Sequence, residues 1–388
     1  ELASCLDIYP IMEKTVGFSA PAGQLDGVLP GYGRQVPNGF GLGLEVRSRV
    51  GGHGVVGLLR GGRGDGRTVA LRADMDALPV HEDTGLPFAS TVSGRMHACG
   101  HDAHVAMLLT AARLLAEARS ELAGTVRFLF QPAEETVAGA LSMIESGALD
   151  GVDAIVGLHT GSIWEGLEPG QIGWRVGPMM ASTTTIRVEL QGRGGHGATP
   201  HLTVDPIVMA AEVVSQLQTL VSRELSPFEP AVVTFGKISG GRAHNVIADT
   251  CELFGTMRCF NTETDAFLKE CITATVEGVA ASMRGRGTVT FSGYLPPVVN
   301  DEAITLRMRD ILRATLGEGS EHEVVRPSSG AEDFAEYLRK VPGAFFYHCS
   351  TFGDGRDHPH HNSRFDVNES VLWTGAAAMA AFALQWQD

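Results

Sequence analysis

Met96-His97-Ala98-Cys99-Gly100-His101-Asp102-Ala103-His104 stands at the head of an apolar run with helical spacing, residues 103–118, in which Leu108, Leu109, Ala112 and Leu115 share one face. Cys99 and His101 put a thiol and an imidazole two positions apart where that helix begins. Downstream, Gln131-Pro132-Ala133-Glu134-Glu135 follows the apolar run 126–130, and His159 follows the apolar run 154–158. His358-Pro359-His360-His361-Asn362 lies near the C-terminus. Cysteine, histidine and a carboxylate, each placed where an element ends, suit zinc or manganese and not calcium. Two adjacent glutamates let one bind metal while the other handles protons.

Working outward, the order of elements is regular. Residues 68–72 form an expected strand that ends at Asp74-Met75-Asp76. Residues 125–130 and 154–158 are short apolar runs bounded by turn signals, as buried strands are, and 138–146 is helical up to Gly147. Strands alternating with helices imply an α/β domain with a mixed, mostly parallel sheet covered on both faces. Ligands of such sheets gather at the carboxyl ends of the strands, where Glu135 and His159 are expected.

The pattern changes near residue 180. Strands at 183–191, 231–238, 250–258 and 288–293 and helices at 205–223 and 263–283 follow the order β-α-β-β-α-β, which is ferredoxin-like; Pro206 suits the first turn of its helix. Beyond about residue 297 the α/β alternation resumes, with helices at 302–316, near 331–339 and at 369–386 and a strand at 344–349. The expectation is a bilobal chain: a catalytic domain over 1–180 and 296–388, interrupted by a lid domain over 181–295. Residues 17–66 are rich in Gly and Pro, and few elements are expected there.

Composition bounds the function. The chain has 388 residues, 44% hydrophobic and 19% charged, which is globular. A net charge of −15 and the lack of any Lys/Arg block argue against nucleic acid and anionic membranes as partners. No apolar run reaches the length of a membrane span, and the first residues lack a basic start followed by an apolar stretch. The six cysteines are Cys5, Cys99, Cys251, Cys259, Cys271 and Cys349, with no CxxC pair. They read as a reducing compartment without a disulfide framework, so a cytoplasmic location is expected.

Each candidate has an ordinary alternative. Cys99 alone reads as a small buried hydrophobe and His101 alone as a helix-start histidine; their spacing, beside Asp102 and His104, favours ligands, with Asp74, Asp76 and Asp102 on hand as outer acceptors. Glu134 and Glu135 follow a buried strand, a poor place for two charges unless a cation balances them. His159 by itself is a common strand-end residue. Among His358, His360 and His361 only one need be a ligand, and spacing does not choose. In the inserted domain, Gly192-Arg193-Gly194-Gly195-His196-Gly197-Ala198 offers either a surface histidine or an oxyanion donor. Asn245 and Arg258 add an amide and a guanidinium, the latter suited to holding a carboxylate by two parallel bonds.

Together these segments resemble the M20 family of co-catalytic metallopeptidases, in the amidohydrolase branch that includes aminoacylase-like, hippurate hydrolase-like and auxin-conjugate hydrolase-like enzymes. The resemblance runs from about Val50 to the C-terminus. It rests on Arg72-Ala73-Asp74-Met75-Asp76-Ala77-Leu78-Pro79, Met96 through His104, Gln131 through Glu135, Gly157-Leu158-His159, Gly194-Gly195-His196-Gly197, Gly330-Ala331-Glu332-Asp333-Phe334 and His361-Asn362-Ser363-Arg364-Phe365. It implies a bilobal fold, with Cys99, His101, Glu135, His159 and His361 as ligands of two divalent metal ions, zinc or manganese. A His-Asn pair followed by Phe selects His361 over its neighbours. The resemblance also makes Glu134 the general base, has His196 reach an active site across a homodimer interface built by the lid, and has Asn245 and Arg258 hold a substrate carboxylate. Residues 1–49 depart from the family: the expected Arg-Arg-x-x-His-x-x-Pro-Glu-like segment is absent, Ile8-Tyr9-Pro10 is at best a remnant, and divergence and a frame-shifted coding segment are both open.

The implied activity is hydrolysis of the amide of an N-acyl amino acid to a carboxylate and a free amino acid. Two alternatives stand beside it: a dipeptidase or carboxypeptidase on the same scaffold, and a metal-binding homologue without catalysis.

Overall fold

The computed structural model describes residues 42–161 and 164–386. Cys5, Ile8-Tyr9-Pro10 and the Gly/Pro-rich stretch as far as residue 41 lie outside the described residues. Along the chain come β1 (Glu45–Val50), β2 (Gly54–Arg60), β3 (Thr68–Asp74), α1 (His101–Glu117), β4 (Thr125–Gln131), α2 (Gly139–Glu145), β5 (Ala154–Gly161), β6 (Ile172–Trp174), β7 (Gly177–Met180), β8 (Thr183–Gln191) and β9 (Gly195–His196). These are followed by α3 (Pro206–Thr219), β10 (Val232–Gly240), β11 (Val246–Ile247), β12 (Thr250–Arg258), α4 (Thr262–Ser282), β13 (Arg286–Leu295) and β14 (Val298–Asn300). The last are α5 (Glu302–Leu316), β15 (Glu321–Glu323), α6 (Phe334–Leu338), β16 (Gly343–Cys349) and α7 (Leu372–Gln385).

Two compact units result. One comprises the described residues up to Met179 with Val299–Arg326 and those from Asp333 onward; the other comprises Met180–Val298 with Pro327–Glu332.

The larger unit is built on an eight-stranded mixed sheet of order β1-β2-β4-β3-β5-β16-β6-β15. Its middle is parallel: β3 pairs in parallel with β4 and with β5, and β16 with β5. The apolar composition of these strands follows from burial on both faces; every residue of β5 and β16 is buried. Alternate side chains Val69, Leu71, Ala73, Val156, Leu158 and Phe346 join one core with Val105, Leu108, Ala112 and Leu115 of α1 and Leu372, Met379 and Phe382 of α7. The six alanines of α7 and α1's own Ala111 and Ala112 let the two helices pack closely. On the other parity, α6 packs on β5 and β16 and against α2.

β1 and β2 correct the sparse expectation for residues 17–66. They form an antiparallel hairpin on the sheet's edge, turned through Gly51 and Gly52 at φ 63° and 91°. β1 reads Glu-Val-Arg-Ser-Arg-Val and is largely exposed. Charges on an edge strand protect it from pairing with another chain, and they also hide its strand character.

The smaller unit carries a four-stranded antiparallel sheet of order β10-β12-β8-β13. β8 alternates, with Ile186, Val188 and Leu190 buried against Met209, Val213 and Leu217 of α3 and Leu268, Ile272 and Val276 of α4. Asp205 and Asn261 cap the two helices by accepting the amides of Ile207 and Thr264 at 2.9 and 2.7 Å. α3 is shorter than the expected 205–223; after Thr219 the chain continues as a π-type turn over Leu220–Glu224.

One charge lies deep in the larger unit. Arg72 on β3 has no solvent exposure. Its Nε donates to Gln131 Oε1 at 2.9 Å, Nη1 to Asp74 at 2.8 Å and Nη2 to Asp333 at 3.0 Å. Asp333 also accepts Gln131 Nε2 at 2.7 and 2.8 Å and the amide of Ala140 at 3.0 Å. Removing the cation strands two buried carboxylates. Arg72→Met is therefore expected to cost about 3–5 kcal/mol, read as a lowered denaturant midpoint against wild type at equal pH.

Candidate metal centre

Gly100 sets the geometry of the first two ligand candidates. It caps α1 at φ 81°, a left-handed conformation, and a Cβ there would meet Thr160 Cγ2 at 2.9 Å. The turn sends Cys99 and His101 toward the carboxyl ends of β4 and β5. His159 lies inside β5, two residues before its end, and Glu135 four residues beyond β4.

The twin glutamates sit on a strained loop. Ala133 and Val137 take φ 59° and 60°, and for a β-branched residue that conformation is an outlier. Asp76 holds the loop in place, its two carboxylate oxygens accepting the amides of Glu134 and Glu135 at 3.1 Å each. The C-terminal histidine loop is tied on by the His361 amide, which donates to the Ala98 carbonyl at 2.7 Å.

The side chains converge. Cys99 Sγ lies 3.4 Å from His159 Nε2. Glu135 Oε1 lies 3.3 Å from His361 Nε2 and 3.9 Å from His101 Nε2. Donor atoms of Cys99, Glu135 and His361 fall within 4.8 Å of one another, as do those of His101, Glu134 and Glu135. All five expected ligands and Glu134 therefore share one region. His360 joins it as well, its Nδ1 at 3.8 Å from Cys99 Sγ.

Hydrogen bonding fixes which nitrogens face inward. His159 Nδ1 donates to the Thr160 carbonyl at 2.8 Å, and His101 Nδ1 to the Asp76 carbonyl at 3.0 Å. Each ring is left with its Nε2 lone pair toward the common centre. His101 Nε2 and Glu135 Oε1 are buried and accept or donate no hydrogen bond among the described residues. Buried polar atoms without partners are costly, and a cation between them removes the cost.

Electrostatics agree. Burial pushes the Cys99 thiol above its ordinary range, so a thiolate there calls for a cation. Burial also holds His159 neutral, the form that ligates metal. For His101, burial favours the neutral ring but the Asp74 and Asp76 carboxylates outweigh it, so a bound metal takes the place of a proton. The donor set of one thiolate, two carboxylates and several imidazoles fits two metal ions.

Of the expected outer acceptors, Asp76 serves His101, whereas Asp74 and Asp102 have other partners. Asp74 serves His104, whose Nδ1 donates to it at 2.5 Å while Nε2 accepts the Thr160 amide at 2.7 Å. Burial alone would raise Asp74; the charges of Arg72, His101 and His104 hold it well below the usual carboxylate range. Asp102 accepts the amide of Ala103 at 2.9 Å and is not the hydrogen-bond partner of His101. Thr160, unmarked in the sequence, joins three histidines: its amide meets His104, its carbonyl His159, and its hydroxyl lies 2.8 Å from Nδ1 of His348. His348 is buried and neutral, its pKa lowered to about 4 by burial.

The remaining candidates lie in the smaller unit. His196 is exposed on β9, paired with Val246 of β11; its Nδ1 accepts the Ala198 amide at 3.0 Å, which leaves Nε2–H as a donor. The Asn245 carbonyl accepts the Gly197 amide at 2.8 Å, so Asn245 and His196 are neighbours. Arg258 ends β12, where Nη1 donates to the hydroxyls of Thr183 and Thr256. Thr183 opens β8, whereas His196 follows the last residue of β8. The structure thus places Arg258 at one end of this sheet and His196 with Asn245 at the other.

Peptidase family M20/M25/M40 matches residues 70–385. The chain belongs to that family. It is 43% identical over 313 residues to the N-acetyl-L-cysteine deacetylase of Bacillus subtilis (strain 168), covering 80% of this chain and 72% of the relative. It is 40% identical over 350 residues to the IAA-amino acid hydrolase ILR1-like 4 of Arabidopsis thaliana, covering 89% and 78%. The crystal structure of the YXEP protein of Bacillus subtilis, described as a dinuclear metal binding peptidase, matches with a TM-score of 0.77 at 36% identity over 89% of each chain. The chain is thus a hydrolytic enzyme of the M20 family, and its converging donors form candidate ligand clusters for two metal ions. Since the Asp76 carboxylate holds the glutamate loop and lies 3.4 Å from His101 Nδ1, Asp76→Ala is expected to weaken metal binding about 10–100-fold, measured by competition with a chromophoric chelator.

Proposed function

We propose that this chain hydrolyses the amide bond of N-acyl amino acids with two divalent metal ions, zinc or manganese, held by Cys99, His101, Glu135, His159 and His361. The convergence of these five side chains, from four separate segments, around the buried, unpartnered His101 Nε2 and Glu135 Oε1 carries this reading. When bound, such metals supply Lewis acidity toward a carbonyl and its attacking water.

The chain's own residues supply the rest. Glu134 sits among the same donors and takes the proton of the attacking water, then delivers it to the departing nitrogen. His196 Nε2–H donates to the oxygen that gains charge at the acyl carbon. Arg258 binds the amino acid carboxylate; its Nε and Nη2 make no hydrogen bond among the described residues, so they remain open for that contact. Asn245 assists from beside His196.

A single copy of the smaller unit keeps His196 and Arg258 apart by the length of β8, nine residues and roughly 27 Å at about 3.3 Å per residue. This supports a homodimer through the smaller unit, the lid, in which His196 and Asn245 come from one copy and Arg258 from the other. β10 is an edge strand of its sheet, with Val232 and Ile238 exposed, and Ile207, Val208 and Phe228 are exposed in the same unit. Uncovered apolar side chains beside an open edge suit pairing with a second copy. The net charge of −15 fits neither nucleic acid nor an anionic membrane, and among the described residues no helix is long and apolar enough to cross a membrane. The five described cysteines are free thiols, in keeping with a cytoplasmic location.

A panel of N-acetyl, N-benzoyl and dipeptide substrates with added zinc, manganese or cobalt tests the reaction class; cleavage of dipeptides alone would contradict it. Glu134→Ala is expected to keep both metals by elemental analysis and to lose at least about 10²–10⁴ in turnover. Neither Glu134→Ala nor His196→Ala should work alone, but their subunits, once mixed and re-equilibrated, are expected to recover about a quarter of wild-type turnover through hybrid dimers with one intact site. No recovery in verified hybrids would contradict the shared site.

A further inference from the structure

The histidine loop places two rings in the centre, and only His361 has been assigned a role. The other, His360, is held firmly. Its ring stacks on His159 with centroids 5.0 Å apart and planes 17° apart, and meets the edges of Trp164 and Phe365 at 5.8 and 5.0 Å. It fits because residue 161 is glycine: a Cβ on Gly161 would lie 1.8 Å from His360 Nε2. So β5 ends in the one residue that admits this ring, directly after His159 and Thr160.

We propose that His360 is an additional metal ligand, completing with Cys99 and His159 a thiolate–imidazole–imidazole face of the dinuclear centre. Cys99 Sγ lies 3.4 Å from His159 Nε2 and 3.8 Å from His360 Nδ1, and the three donor atoms fall within 4.8 Å of one another. Two such donors on a tetrahedral zinc, with Zn–S about 2.3 Å and Zn–N about 2.0–2.1 Å, stand about 3.5 Å apart. The spacing is that of ligands to one ion.

The consequence is an asymmetric pair of sites. The face of Cys99, His159 and His360 is built of sulfur and nitrogen and favours zinc or cobalt over manganese. The group of Cys99, Glu135 and His361 carries the carboxylate and suits a harder ion. Cys99 belongs to both groups and would be shared between them.

The inference rests on the dinuclear reading above and is tested separately from it. Wild type, His360→Leu and Gly161→Ala are stripped with chelator and titrated with Co(II) and with Zn(II) against a chromophoric competitor. Gly161→Ala expels the ring while leaving every ligand in the sequence, and circular dichroism checks that both variants fold. The expected result is two metals per chain in wild type, with a sulfur-to-cobalt band and intense visible bands from a four-coordinate ion. In both variants the visible bands change and one of the two metals binds at least about tenfold more weakly. Wild-type spectra and affinities in a folded Gly161→Ala or His360→Leu protein would make His360 a packing residue and overturn the proposal, with the dinuclear reading intact. A wild-type protein that binds no metal would overturn both.

Discussion

A guanidinium sealed from water anchors the site. Arg72 reaches Gln131 on β4, Asp74 on its own strand and Asp333 just ahead of α6, and every one of these partners has further bonds to make. Burying such charges is worthwhile only when all of them are satisfied at once, so the network admits one arrangement of the strand ends and little else. Asp74 passes that order on to His104, and His104 to the Thr160 amide, which fixes the end of β5 beside His159. The ligand-bearing segments are thus registered from beneath before any ion arrives.

Above this network the decisive feature is the choice of tautomer. His101 and His159 each spend Nδ1–H on a backbone carbonyl and turn Nε2 inward. The Thr160 carbonyl belongs to β5 and the Asp76 carbonyl lies two residues beyond β3, so the lone pairs are aimed by the backbone and not by side chains free to rotate. Asp76 adds a second constraint, since one carboxylate carries both glutamate amides. The positive φ of Ala133 and Val137 is the backbone strain that places Glu134 and Glu135 together in a buried site, and the surrounding bonds offset it.

Much of this was legible in the sequence. The parallel middle of the sheet followed from apolar runs bounded by turn residues; Glu134, Glu135 and His159 stood out because charged or ligating residues after such runs are out of place, and Cys99 and His101 because a thiol and an imidazole two positions apart open a helix. Arg72 was legible as part of a family motif, yet its burial was not: a lone arginine in a strand reads equally as an edge residue. Thr160 gave no signal, because its role uses the amide and carbonyl that every residue has. His348 hid in an apolar strand as a satisfied core histidine. β1 escaped because its charges imitate a loop. That His360 enters the centre beside His361 depends on Gly161, a contact across some two hundred residues that no local spacing encodes.

X-ray absorption at the metal edge of the zinc-loaded protein tests the central claim, that Cys99 and the converging imidazoles hold a pair of ions. The expected spectrum contains a sulfur shell at about 2.3 Å and a second metal at about 3.5–4 Å. A spectrum with only nitrogen and oxygen near 2.0–2.1 Å and no heavy neighbour would contradict it.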